Sequence, residues 1–120
     1  MQKMIYKNVV WPQNPHTYKE EYIRQPHFHT EGGTTYYDGM GDMQRIITGS
    51  GTFFGETAYA DFEQLVALFE DGGAGILMHP LLGTRYCHFT GLGLTQEPRE
   101  NYVSYTFQFT GALNNGEVPR

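Results

Sequence analysis

The sequence predicts a mainly β fold: an antiparallel β-sandwich or partial barrel with one α-helix at about 58–71 and an extended arm or long hairpin. Three observations lead there. Aromatics make up 15% of the chain, nine Tyr and eight Phe against one Trp, beside 15 glycines and six prolines. Aromatic side chains suit half-buried pleated strands, and Gly and Pro supply the turns between them. Val103, Tyr105, Phe107 and Phe109 alternate with Ser104, Thr106 and Gln108, a period of two that marks a strand with one buried face. A single stretch has helical spacing: Ala58, Phe62, Leu65, Val66 and Phe69 form one apolar stripe. At 120 residues the chain is expected to be a single domain, 1–120.

In chain order, Met4–Trp11 reads as one strand ended by Pro12, with Asn14-Pro15 as a turn signal. Residues 12–42 form the candidate arm. That stretch has no clear period, and its Gly32-Gly33 and Asp38-Gly39 dipeptides are both hairpin-turn chemistry. Residues 43–54 read as a separate strand in which Gly49 and Gly51 suggest a bulge or bend. Thr57 is placed to cap the helix, Asp61 suits its first turn and Gly72-Gly73 ends it, while Glu70 and Asp71 oppose the C-terminal dipole. GILMHP is a short buried-type strand, and TRYCHFTGLGLTQ is a strand pair or one bent strand. The expected core is Val103, Tyr105, Phe107, Phe109, Phe62, Leu65, Val66 and Phe69.

Charge and cysteine content narrow the function. Eight Lys and Arg against 13 Asp and Glu give a net charge of −5, with no basic cluster to track a phosphate backbone or an anionic membrane. No nucleic-acid or membrane partner is expected. A single cysteine, Cys87, cannot form an internal disulfide, which suits a reducing compartment. No apolar stretch approaches the roughly 20 residues of a membrane helix, and the N-terminus lacks a signal-peptide apolar region. The chain reads as soluble and intracellular where it is made.

Candidate chemistry is sparse. His27 and His29 sit at i and i+2, so on a strand they share a face and could meet one metal with Glu31 and His79. That pattern resembles the cupin barrels, but Gln25-Pro26 precedes the pair where spaced glycines belong, and a full helix interrupts the strands. Cys87 and His88 are adjacent and point to opposite faces, so they do not pair as nucleophile and base. GSGTFFG precedes a helix as a phosphate loop would, yet its spacing is GxGxxxG and its Thr52-Phe53-Phe54 core reads as strand interior. Glu20-Glu21 and Glu97/Glu100 are carboxylate pairs without a cleft. No catalytic, cofactor or metal site is expected, and no enzymatic activity. A small metal-binding cupin-like enzyme and a generic intracellular binding module are the alternatives. Tyr18, Tyr22, Phe28, Tyr36 and Tyr37 crowd a segment too irregular to bury them all. Together with Trp11 they are the interface candidates, against the alternative of a hairpin folded over its own sheet.

From residue 43 onward the order of motifs resembles a known family. A Gly-rich strand, RIITGSGTFFG, leads into the amphipathic helix. The segment His79-Pro80-Leu81-Leu82-Gly83 follows, and Phe107-Gln108-Phe109-Thr110-Gly111-Ala112 closes the run. This pattern resembles the distal tail proteins of bacteriophages and the N-terminal domain of the phage DNA circularisation (baseplate hub) family. The resemblance covers residues 43–113 and leaves the arm unaccounted for. It implies a tail-tube-like β-domain that assembles into rings, often hexamers, with itself and with other tail or baseplate proteins. The protein would then gather in the host cytoplasm during assembly and end in the virion or a tail-like particle.

Overall fold

The strand of strict alternation lies at the centre of the fold. In the computed structural model, which describes residues 2–112 apart from the side chains of residues 25–28, 36–42 and 112, eight elements follow one another. They are β1 (Ile5–Tyr6), β2 (Val9–Val10), β3 (Thr17–Glu31), β4 (Thr34–Phe54), α1 (Ala58–Glu70), β5 (Ala74–His79), β6 (Gly83–Leu94) and β7 (Tyr102–Ala112). All strands join one antiparallel sheet in the order β2-β1-β5-β6-β7-β4-β3. The sheet is rolled, and α1 packs on its inner face against β4, β6 and β7. The mainly β, one-helix architecture is therefore as the sequence predicts.

The inner face of β7 is as expected: Val103, Tyr105, Phe107 and Phe109 are all buried. Their partners on β4 are Phe53, Gly51, Gly49 and Ile47. Gly49 and Gly51 are not bulges. A Cβ on Gly49 would stand 2.5 Å from Phe107 Cζ, and one on Gly51 would stand 2.6 Å from the Tyr105 hydroxyl. The glycines leave room for the rings, so the same residues cannot form a phosphate-binding loop.

β6 is one strand with an irregularity between Phe89 and Gly91. The extra residue, Thr90, shifts the parity. Cys87 and Phe89 face inward before it, and Leu92 faces inward after it, opposite Phe107.

Two expectations change at the N-terminus. Met4–Trp11 is not a single strand: Lys7 (φ 50°) and Asn8 (φ 67°) form a two-residue turn between β1 and β2. Successive left-handed residues are what a tight hairpin of this length needs. Trp11, an interface candidate, is fully buried. The turn carries it over the inner face, where its indole Nε1 donates to the Tyr105 hydroxyl at 2.8 Å and its ring packs edge-on to Phe107 at 5.7 Å.

The helix buries Ala58, Leu65 and Leu68, with Phe62 partly buried against the core. Val66 is only half-buried, and Phe69 is 37% exposed with its edge on Phe89. Helix and sheet touch along the expected stripe through Ala58, Phe62 and Leu65, and only in the last turn does Leu68 replace Phe69 as the inward residue. Thr57 makes no capping bond to a backbone amide; its hydroxyl meets Asp61 instead. At the other end, Lys7 binds Asp71 Oδ2 at 2.6 Å and the Gly72 carbonyl at 2.9 Å. It supplies the cation that the helix C-terminus itself lacks.

Candidate functional site: the hairpin arm and its root

β3 and β4 form one long hairpin. Its two-residue turn is Gly32-Gly33, with φ of 59° and 84°, a conformation only glycine adopts without strain. Asp38-Gly39, the other turn candidate, lies within β4 beside a register shift.

β4 pairs with β7 as far as Gln44↔Ala112, where Gln44 also faces Ile23. Beyond that point, among the described residues, 24–43 pair only with each other. This two-stranded arm has eight residues of β3, so it reaches about 26 Å past the last β7 pairing at 3.3 Å per residue. The Cα radius of gyration is 17.7 Å, whereas a compact domain of this length has about 14 Å. Two register shifts, between Arg24 and Pro26 and between His27 and Phe28, each leave an extra residue on β4. Pro26 is tolerated because β3 is an edge strand.

The root of the arm is polar inside. Tyr18, Glu20 and Tyr22 face inward opposite Gly49, Ile47 and Arg45. β3 and β5 lie four places apart in the sheet order, yet the roll brings β3 against the β5–β6 hairpin. Arg85 Nε and Nη2 donate to the two Glu20 carboxylate oxygens at 2.9 and 3.3 Å. The hydroxyls of Tyr18 and Tyr22 donate to the same carboxylate, each at 2.8 Å. Arg85 Nη1 also donates to the carbonyls of Leu82 and Thr84. The Glu20 side chain is only 9% exposed.

Burial would raise the Glu20 carboxyl. Hydrogen bonds from Arg85, Tyr18 and Tyr22 outweigh it and hold the group below the usual carboxylate range. The Tyr18 hydroxyl is pushed up, first by burial and then by its bond to Glu20. The partner of Glu20 is thus a cation 65 residues away, and Glu20-Glu21 is no catalytic pair: Glu20 faces inward and Glu21 faces solvent.

His79 stacks on Tyr18 with ring centroids 4.4 Å apart. Its Nδ1 accepts the backbone amides of Leu81 and Leu82 at 3.0 and 3.2 Å. This bonding pins the His79-Pro80-Leu81-Leu82-Gly83 turn and leaves Leu81 78% and Leu82 46% exposed. Burial and the Arg85 charge lower the imidazole pKa, with Glu20 acting the other way. Tyr22 is exposed at the β3 edge of the same contact, and Ile23 is exposed on the opposite face of the strand. A shallow depression of about 210 Å³ lies beside the turn, lined in part by Pro15, Tyr18, His79, Pro80 and Leu81.

Of the six interface candidates, Trp11 is core, Tyr18 is half-buried in the root and Tyr22 is exposed at its rim. Phe28, Tyr36 and Tyr37 lie on the arm, where the backbone pairs Phe28 with Tyr37; their side chains fall outside the described residues. Leu81 and Leu82 were not candidates, although two leucines in a Pro-Gly turn are a readable sign of exposed apolar surface. The cupin-like ligand set does not come together. His79 sits beside Tyr18, and eleven residues of extended β3, about 36 Å, separate Tyr18 from His29. The side chain of His27 falls outside the described residues. Cys87 is buried, with its thiol pushed up to about 12 chiefly by burial, while His88 is exposed on the opposite face.

Charge is distributed unevenly. Glu56, Asp61, Glu63, Glu70 and Asp71 lie on α1 and its flanks with no Lys or Arg among residues 56–71. Along the sequence the other eight acids equal the eight bases in number, and one of those bases, Lys7, pairs with Asp71 at the helix C-terminus.

Comparison with known proteins bears on this geometry. Residues 21–86 match the family model described as DNA circularisation protein N-terminus. The chain belongs to this family. The family match runs from the arm root through the arm and α1 to the His-Pro-Leu-Leu-Gly turn, so the arm that the sequence resemblance left aside is part of the family's domain. Two solved assemblies contain chains of similar fold. One is the tail of an empty GTA particle computed with helical refinement in C6 symmetry, at 16% identity over 80% of this chain and 75% of that one, TM-score 0.50. The other is the virion of a native gene transfer agent particle, at 14% identity over 90% and 89%, TM-score 0.51. At these identities the likeness is one of fold. Comparison with curated proteins gave no match.

Proposed function

We propose that this chain is a structural component of a phage, prophage or phage-tail-like particle, acting at the tail-tube or baseplate end without catalysing a reaction. The observation that carries the reading is the arm: about 26 Å of backbone that, among the described residues, pairs only with itself, beside an apolar turn held outward by His79. A monomer gains nothing from such surface and is exposed to aggregation by it, whereas an assembly buries it. Membership of the DNA circularisation N-terminal family and the fold shared with chains of GTA particles support the same reading. Each copy would engage the next through arm, root and sheet edge. A contact of that kind between two different surfaces closes into a ring when the rotation allows. We favour a ring of six, formed in the host cytoplasm and joined by other tail or baseplate proteins.

Native mass spectrometry and electron microscopy of the purified chain, over rising concentration and with the adjoining tail proteins, test the reading. Rings or tubes that disappear when residues 25–42 are replaced by a tight Asn-Gly turn joining Arg24 to Met43 are expected. A chain that stays monomeric in every mixture overturns it. One metal ion per chain, lost on replacing His27 and His29 with Ala, would favour the cupin-like alternative instead.

A further inference from the structure

The hydrogen-bond ladder does not by itself fix the direction in which the arm leaves the body. At the root, β4 is held on both sides, by β3 and by β7, whereas among the described residues β3 has backbone bonds to β4 alone. A two-stranded ribbon twists and bends more readily than a strand inside a sheet. The two register shifts just beyond the root weaken the ladder where the arm begins. What braces the free side of β3 is a set of side chains. Arg85 grips Glu20 through two donors and is itself anchored on the Leu82 and Thr84 carbonyls. Tyr18 rests on His79, which holds the same turn by two amides.

We propose that the Glu20–Arg85 pair and the Tyr18–His79 contact form a latch that sets the arm's angle to the body. Two strands that are remote in the sheet order are fastened by one bidentate ion pair, with the pivot at the root of the element that we assign to assembly. Releasing the latch frees β3 to roll about β4 without unpairing a strand. The arm then swings while the fold stays intact. Its use in docking to a neighbouring copy rests on the proposed assembly role; the mechanical statement does not.

Spin labels at Thr35→Cys near the arm tip and Glu63→Cys on the helix, both exposed positions, report the angle as a distance distribution in the full chain. Buried Cys87 remains in place, and chain without the added cysteines serves as its control. The latched protein should give one narrow distribution. Glu20→Gln, which keeps the shape and removes the charge, should widen it or shift its mean, and Arg85→Met should widen it at least twofold, with unchanged far-UV circular dichroism. Exchanging the charges, Glu20→Arg with Arg85→Glu, should narrow it again. Distributions as narrow as the parent's and at the same mean in both single variants overturn the latch. If Arg85→Met loses its fold, Glu20→Gln decides alone. These distances are read on the isolated chain, so the latch can fail while rings still form, or hold while they do not.

Discussion

Replacing Trp11 with Phe tests the central packing argument, because two costs of different origin combine there and a cycle separates them. The indole is fully buried and gives its one donor to the Tyr105 hydroxyl at 2.8 Å. The shorter ring leaves a void among Phe89, Phe107 and Phe109, costing about 1–3 kcal/mol on the scale of large-to-small core changes. It also strands a buried hydroxyl, which adds roughly 1–2 kcal/mol. Tyr105→Phe alone strands the indole N–H instead and costs about 1–2 kcal/mol. In the double variant neither polar group remains. Its cost should therefore fall below the sum of the singles by about 1 kcal/mol or more. Urea unfolding followed by far-UV circular dichroism measures all four corners without relying on the only tryptophan. Strict additivity would show that the bond contributes nothing. A Trp11→Phe variant as stable as the parent would refute the burial argument itself.

Three further outcomes follow. Gly111→Ala should cost about 1–3 kcal/mol, since its Cβ would lie 2.5 Å from the Tyr86 carbonyl, which is backbone and cannot swing aside. Gly32→Ala, in open space with φ of 59°, should cost only about 1 kcal/mol, and urea midpoints compare the two. For Glu20, the folded carboxyl titrates below its unfolded value. Its contribution is therefore complete above the unfolded value of about 4.3 and disappears as pH falls through the folded one. The stability gap between parent and Glu20→Gln should be steady from pH 7 to 5 and shrink below about 4; a gap that grows on acidification contradicts the sign. The Cys87 thiol, buried and pushed up to about 12, should resist a disulfide reagent at pH 8 and react once urea unfolds the chain. Fast reaction in the native state would show that it is not buried.

The elements that could be read from the sequence are those whose signal is local. β7 keeps one parity from Val103 to Phe109, so alternation alone identifies both the strand and its buried face. The helix stripe is equally local through Ala58, Phe62 and Leu65, though in its last turn Leu68 is inward where Phe69 was expected. β4 was harder, because its 21 residues change parity at two register shifts and include glycines whose reason lies on β7. Either Gly32-Gly33 or Asp38-Gly39 would make a turn. The choice follows from the far end of the hairpin, where a tip at Gly32-Gly33 together with the two extra residues of β4 sets Tyr18 opposite Gly49 and Glu20 opposite Ile47. The latch had no sequence signal. It joins Glu20 to Arg85 through the roll of the sheet, and neither residue differs in its surroundings from an ordinary surface charge. Trp11 was misread for a related reason: a buried indole and an exposed one look alike until the turn at Lys7-Asn8 is known to fold it back over the sheet.

The one-sided charge has a consequence for the behaviour of free subunits. With five acids between residues 56 and 71, and Lys7 offsetting Asp71, two copies that approach helix to helix repel each other. The helix then serves as a colloidal bumper that keeps an adhesive subunit dispersed while its concentration rises. Because exposed charges are screened within about 8 Å at physiological ionic strength, added salt should bring helix-side aggregation nearer.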